Sequence, residues 1–527
     1  MPNAIDRRTF LAAGAKAAAA CAASTFFVRE LRAVAPELGA AQAVASGAAQ
    51  TALDAFVERY MRAMAAPGMM LAMVSKQGPV RIAAYGFADI DRKEALNTQQ
   101  LFQIGSCSKS FVALMLLQLK EEGKLDFQRE IKSYLPWLPI QTSFGAVNVH
   151  DLLTHSSGLP NPLRIFPADP SFVYQQTSKP GTHFYYCNMG FAILGELIGL
   201  LDGRPWTESV VKRIFEPLGM TAIRAVYDST TRALSPESYV PFAGDRDFPV
   251  HGRLAASGQS IFDDAAGSIC STPGDMAKYL QMLVNQGVGP NGRIVSEASF
   301  RELATPYIKA EEFSPTASYG YGIAVDTLDG DKMLRHTGGT NSYMSAEQID
   351  LDSGFAVFAS INAQLGYRPN PVAEYGVRLL RAEQQGKPLP APPEIFDPMI
   401  IKDASEYAGS YSSARGKRVE IVGEGERLLW NAGGRSLPIQ MMASGGMMIA
   451  DPEYDRFTVI FGREGKDGKG AVVELAHGAE WYASQRYSGP KTFTYPDAWK
   501  ALTGTYHNDD PWVGTTRIVM RKGKLWA

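Results

Sequence analysis

The chain has 527 residues, 45% of them hydrophobic and 20% charged, with a formal net charge of −2. That length exceeds what one hydrophobic core organises, so about two to four domains are expected. The near-neutral balance excludes the large basic field that would hold nucleic acid or an anionic membrane surface.

In chain order, the first feature is Asp6-Arg7-Arg8-Thr9-Phe10-Leu11, a twin-arginine pattern, ahead of a small-residue run from Ala12 to Val28 broken by Lys16. A membrane span needs about 20 strongly apolar residues, and this run is mostly alanine. Residues 1–35 therefore read as a twin-arginine export signal, with Ala33-Val34-Ala35 as a small-x-small cleavage site. The competing reading is an alanine-rich helix of the mature protein. Export predicts a periplasmic or secreted protein without a transmembrane segment. Cys21 follows three alanines but lacks the leucine of a lipid-attachment box, so anchoring there is not expected. The other cysteines, Cys107, Cys187 and Cys270, allow at most one disulfide. Seven scattered histidines form no His-Glu-x-x-His, and no Cys-x-x-Cys occurs, so neither a metal nor a cofactor is implied.

Thr51 to Ala65 carries apolar residues at helical spacing. Met69 to Val74 and Val80 to Tyr85 are apolar runs joined by a turn at Lys76-Gln77-Gly78-Pro79. A second hairpin runs from Tyr343 to Ile349 and Phe355 to Ile361, turning at Asp352-Ser353-Gly354, and a helix spans Val372 to Gln385. Helix, strands, a long helical middle, strands and helix predict an α/β (α+β) unit over 50–386: an antiparallel sheet with flanking helices and an inserted helical subdomain. Prolines at 388, 390, 392, 393 and 398 mark a stiff linker over 387–400. Short alternating strands with Gly-rich turns then predict an all-β barrel domain over 401–490. Tyr407-Ala408-Gly409-Ser410-Tyr411 is echoed by Leu502-Thr503-Gly504-Thr505-Tyr506, with a tryptophan 21 residues after Gly409 and 22 after Gly504. Residues 497–527 thus read either as the start of a second, truncated β-domain or as strands that complete the first.

Chemistry begins at Ser106-Cys107-Ser108-Lys109, followed by a nearly continuous apolar stretch to Leu119 that Gly123 ends. A helix apolar on all sides is buried. Ser106 then lies at its N-terminus, where the helix dipole favours developing negative charge, and Lys109 one turn on, at i+3. A lysine anchored there is partly desolvated, which lowers its pKa and makes the neutral amine available to activate the hydroxyl. Ser-x-x-Lys alone recurs by chance about once per chain of this size, and a helix cap followed by a surface lysine reads the same way.

Three further segments occur in order: Asp151-Leu152-Leu153-Thr154-His155-Ser156-Ser157-Gly158-Leu159-Pro160, then Tyr186-Cys187-Asn188, then His336-Thr337-Gly338-Gly339. With Phe102-Gln103-Ile104-Gly105-Ser106-Cys107-Ser108-Lys109-Ser110-Phe111, this set resembles the class C β-lactamase and D-Ala-D-Ala carboxypeptidase family over residues 50–385. The resemblance implies a β-lactamase-like fold and an acyl-transfer site. In it Ser106 is the nucleophile, and Tyr186 relays its proton to the leaving group with a pKa lowered by Lys109. Asn188 donates to the surroundings of Lys109 or to a substrate carbonyl. Backbone N–H groups of Ser106 and Gly339, beside Thr337 and Gly338, form the oxyanion hole. His336 contacts substrate or tunes Tyr186. Alternatively, Tyr186 and Asn188 are helix-cap residues and His336 a strand-end histidine. His155 and Ser156 are expected to pack a loop, and Cys107 and Cys187 to point inward as inert thiols.

Many members of the family carry lysine where this chain has His336. A mostly neutral histidine weakens the preference for a substrate carboxylate. No Glu-x-x-Leu-Asn element follows the nucleophile, so the class A deacylation device is missing. The His-x-Gly motif together with lipocalin-like β-domains is similar to the D-aminopeptidases of this family. The expected partner is thus a small molecule or short peptide bearing an amide, peptide or ester bond, with a homodimer left open. Competing readings are a low-specificity esterase or β-lactamase and a non-catalytic penicillin-recognising sensor. The β-domains are expected to cap the cleft.

Overall fold

A computed structural model describes residues 47–507 and 515–527, except 163–164, 166–168, 170, 242–253, 258–262, 365–368, 443–444, 450, 452, 455 and 466–469. The predicted export signal and Cys21 lie outside the described residues.

Helix α1 (Ala48–Met64) buries Leu53, Phe56, Val57, Tyr60 and Met61 on one face. It leads into β1 (Gly68–Ser75), which turns through a hairpin into β2 (Gly78–Asp89). Strands β3 (Glu94–Ala95), β4 (Ile308–Lys309), β5 (Ser318–Tyr319), β6 (Ala324–Leu328), β7 (Asp331–Gly339), β8 (Met344–Asp350) and β9 (Phe355–Ile361) complete a nine-stranded antiparallel sheet ordered β4-β5-β6-β7-β8-β9-β1-β2-β3.

The centre of the sheet is covered on both sides, so β1, β8 and β9 read as apolar or buried throughout rather than alternating with solvent. Period two instead divides each strand between two cores. Met69, Leu71 and Met73 pack with α1 and the returning helix α5, whereas Met70, Ala72 and Val74 face the helical subdomain. That subdomain contains α2 (Ser108–Glu121), α3 (Asn188–Asp202) and α4 (Pro273–Val284); α5 (Asn370–Gln384) closes the unit. Among the described residues no helix is long and apolar enough to cross a membrane.

Beyond the linker lies a closed eight-stranded barrel, formed by β10 (Gly409–Ser413), β11 (Arg418–Glu424), β12 (Arg427–Ala432), β13 (Arg435–Met441), β14 (Met447–Ile449), β15 (Thr458–Arg463), β16 (Val472–His477) and β17 (Glu480–Ala483). Tyr411, Val419, Ile421, Trp430, Ile439 and Leu475 fill it. The barrel is a packed core, not an open tube. Among the described residues its hydrogen bonds run within itself, to the linker (Met441 N–H to Pro398 O, 2.7 Å) and to the final strands.

The final strands, β18 (Gly504–His507), β19 (Thr515–Arg521) and β20 (Lys524–Trp526), form a separate three-stranded sheet and do not complete the barrel. They are held against it by Lys522 on Glu474 (2.7 Å) and by Arg521 donating to Gly478 O (2.8 Å). The echo is real at its start: Tyr411 donates to Tyr407 O and Tyr506 to Leu502 O, each at 2.9 Å. It fails at the tryptophan. Trp430 is the third residue after hairpin position Arg427, but Trp526 is only the second after Lys524. One residue of slip reverses the face, so Trp430 is 1% exposed and Trp526 39%.

Candidate active site

Ser106 sits in a 3-10 turn, Gly105–Cys107, that feeds directly into α2. Two glycines bring this turn against the third motif. Gly105 has φ +57, and a Cβ there would fall 2.7 Å from Gly339 N; a Cβ on Gly338 would fall 1.8 Å from Ile104 O. Only bare backbone fits at this crossing. The pairing of β6 with β7 stops at Ala324 opposite Arg335, so among the described strands residues 336–339 keep one unpaired edge.

Helix α2 is buried on all sides, and Lys109, one turn after Ser106, is fully buried with it. Its Nζ lies 3.0 Å from Ser106 Oγ, 2.7 Å from Asn188 Oδ1 and 2.8 Å from Ala266 O. Burial pushes the amine down to about 7, opposed in part by the Asp264 carboxylate. Among the described residues no carboxylate bonds directly to it, so at neutral pH the group is divided between amine and ammonium.

Asn188 opens α3, with its N–H on Asn161 Oδ1 (2.6 Å). Its side-chain oxygen accepts from Lys109, and the amide NH2 remains a donor. Tyr186 hydrogen-bonds Ser106, and its ring lies 4.9 Å from Lys109 Nζ. The expected lowering of its pKa is reversed: burial holds the phenol well above its ordinary range, and the Ser106 hydrogen bond offsets this only in part. Tyr186 is thus a neutral hydroxyl, suited to give a proton.

His336 is 2% exposed, and both ring nitrogens are occupied within the protein. Nδ1 lies 2.6 Å from Thr337 O and must donate there, so Nε2 accepts from Tyr319 OH at 2.9 Å. Burial and the nearby Lys109 push it down to about 3. It therefore carries no charge, and its ring lies 6.2 Å from that of Tyr186. Thr337 and Gly339 are the partly exposed members of this segment.

His155 accepts from Cys187 N–H (3.0 Å) and packs against Tyr186 at 4.2 Å between centroids, bracing the loop before α3. Ser156 bonds Thr154 within the same loop. Cys107 and Cys187 are buried thiols. Linear spacing carried no signal for Asn161, Ala266, Asp264 or Tyr319, because each meets the centre only through tertiary packing.

Residues 53–381 match the family described as Beta-lactamase. The chain belongs to this family of serine hydrolases. It is 26% identical over 371 residues to penicillin-binding protein 4 of Amycolatopsis lactamdurans, covering 66% of this chain and 94% of that protein. It is 29% identical over 302 residues to a D-aminopeptidase of Brucella ovis, of which it spans about half (54%), with 54% of this chain aligned. By fold it is similar to an octameric penicillin-binding protein homologue from Pyrococcus abyssi, with TM-score 0.57, 23% identity, and coverage of 82% of this chain and 98% of that one. It is also similar to the D-amino acid amidase of Ochrobactrum anthropi SV3, with TM-score 0.52, 23% identity, and coverage of 64% and 99%.

Proposed function

We propose that this protein hydrolyses amide, peptide or ester bonds of small substrates through an acyl-enzyme on Ser106. The observation that carries the reading is the 3.0 Å contact between Ser106 Oγ and the amine of a fully buried lysine. In its neutral form Lys109 takes the Ser106 proton as Oγ attacks the substrate carbonyl. The ammonium so formed is held by Asn188 Oδ1 and Ala266 O. Charge developing on the carbonyl oxygen is met by the N–H groups of Ser106 and Gly339. Tyr186 passes its proton to the departing amine or alkoxide and is reprotonated by the Lys109 ammonium, which returns the lysine to its neutral form. Water then repeats the attack on the ester and releases the acid. The names of the D-aminopeptidase and D-amino acid amidase relatives favour acyl donors with a D-residue.

The test is turnover of p-nitrophenyl esters and of D- and L-aminoacyl amides, with intact-mass detection of the acyl-enzyme. Ser106→Ala should abolish both. Labelling by a fluorescent penicillin without turnover of any ester or amide would overturn the proposal in favour of a sensor.

We also infer export through the twin-arginine route, from Arg7-Arg8 and the alanine-rich stretch that follows. Replacing both arginines by lysine should leave the protein in the cytoplasm; unchanged fractionation would refute this.

A further inference from the structure

The segment from Asp264 to Ser271 meets the nucleophile turn and its base separately. At its far end Cys270 and Ser271 pair with Gln103 and Phe102, and Ile269 O accepts from Ile104 N–H at 2.9 Å, just ahead of Ser106. At its near end Ala266 O accepts from Lys109 Nζ at 2.8 Å. The direction of that carbonyl is set by a turn that Asp264 closes. Asp264 Oδ1 accepts from Ala266 N–H at 2.7 Å, and its backbone oxygen accepts from the N–H groups of Gly267 and Ser268, each at 3.0 Å. The turn is pressed against α3, where a Cβ on Gly195 would fall 2.7 Å from that of Ala265, and Ser268 Oγ ties its end to Ala225 O at 2.7 Å. Asp264 thus grips the N–H of the same residue whose carbonyl grips the amine.

Asp264 is also the carboxylate that acts on Lys109. The other titratable groups facing the amine are Cys107 on its own helix, Tyr186 and Cys187 ahead of α3, His155 in its loop and His336 on β7. Burial keeps Cys107, Tyr186 and both histidines uncharged, and Cys187 is a buried thiol. Asp264 itself faces Glu196 and Asp263, and burial pushes its carboxyl up against the pull of Ala266 N–H and Lys109.

We infer that Asp264 is a positioning residue for the general base: it aims Ala266 O at Lys109 and supplies the negative charge that faces the ammonium formed during attack. This rests on the hydrolase reading above. The test measures kcat and KM for p-nitrophenyl acetate from pH 5 to 9 in the parent, Asp264→Asn, Asp264→Ala and Asp263→Asn. Asp264→Asn keeps an oxygen for Ala266 N–H and removes the charge. Its plateau kcat should stay near the parent's, while the ascending limb moves to lower pH by on the order of one unit, because the ammonium is no longer favoured. Asp264→Ala removes both, and kcat should fall by about tenfold or more with KM little changed, because the base is no longer held in place. Asp263→Asn removes a charge one residue earlier, at an exposed position, and should leave limb and rate as in the parent. A limb that stays in place in Asp264→Asn, or that Asp263→Asn moves as far, would overturn the assignment. So would an Asp264→Ala protein that turns over like the parent. Urea unfolding identifies an Asp264→Ala protein that has lost its fold, and the Asp264→Asn profile then decides. If the parent hydrolyses the ester and both Asp264 variants match it, only the role of Asp264 fails. If the parent hydrolyses nothing, the hydrolase reading fails and takes this one with it.

Discussion

Glu347 offers a quantitative test of how the sheet is packed beneath the site. It lies on β8 directly opposite His336 on one side and Phe358 on the other, and so faces the helical subdomain. It is 0% exposed, and neither carboxyl oxygen has a hydrogen-bond partner among the described residues. Burial alone raises its pKa from 4.5 to about 8. The unfolded chain releases this proton near 4.5 and the folded chain only near 8, so the folded state is the one that retains the proton between them. Stability contributed by the neutral acid is complete below 4.5 and is lost as pH rises to 8. At about 1.36 kcal/mol per pH unit the total loss is about 5 kcal/mol, comparable with the whole stability of many domains. Glu347→Gln keeps the shape and cannot ionise. Urea unfolding of parent and variant at pH 5, 6, 7 and 8 should show the variant's advantage growing by about 1.4 kcal/mol per unit. Parallel stability curves across that range would refute the reasoning.

Three further outcomes follow from the site. Because Lys109 titrates near 7 and must be neutral to accept the Ser106 proton, kcat/KM should rise with pH through about 7; a rate flat from pH 5 to 9 would contradict that role. Asn188→Asp places a carboxylate 2.7 Å from the amine, favours the ammonium, and should move this limb to higher pH; a pH–rate profile with the limb unmoved would count against it. Gly338→Ala would set a methyl 1.8 Å from Ile104 O and force β7 away from the nucleophile turn, so acylation followed by stopped flow should slow by about 100-fold.

Much of this protein is legible in its sequence because the governing rules are local. Apolar spacing located α1, both hairpins of the main sheet and α5 to within a few residues, since each element buries a face set by its own period. The same holds for Ser106 and Lys109, which one helical turn places together whatever surrounds them.

Charge and partnership were decided elsewhere. Lys109 finds its other acceptors at Asn188 and Ala266, far along the chain. The neutrality of His336, the raised pKa of Tyr186 and the lone carboxyl of Glu347 all come from desolvation, a property of what the whole fold packs around a group. The echoed tryptophan gives the same lesson for packing: its distance from the glycine nearly repeats, but which face it takes depends on hairpin register. Spacing along the chain determines which atoms one turn or one strand can align, whereas the dielectric around them and the remote groups they meet exist only once the chain has folded.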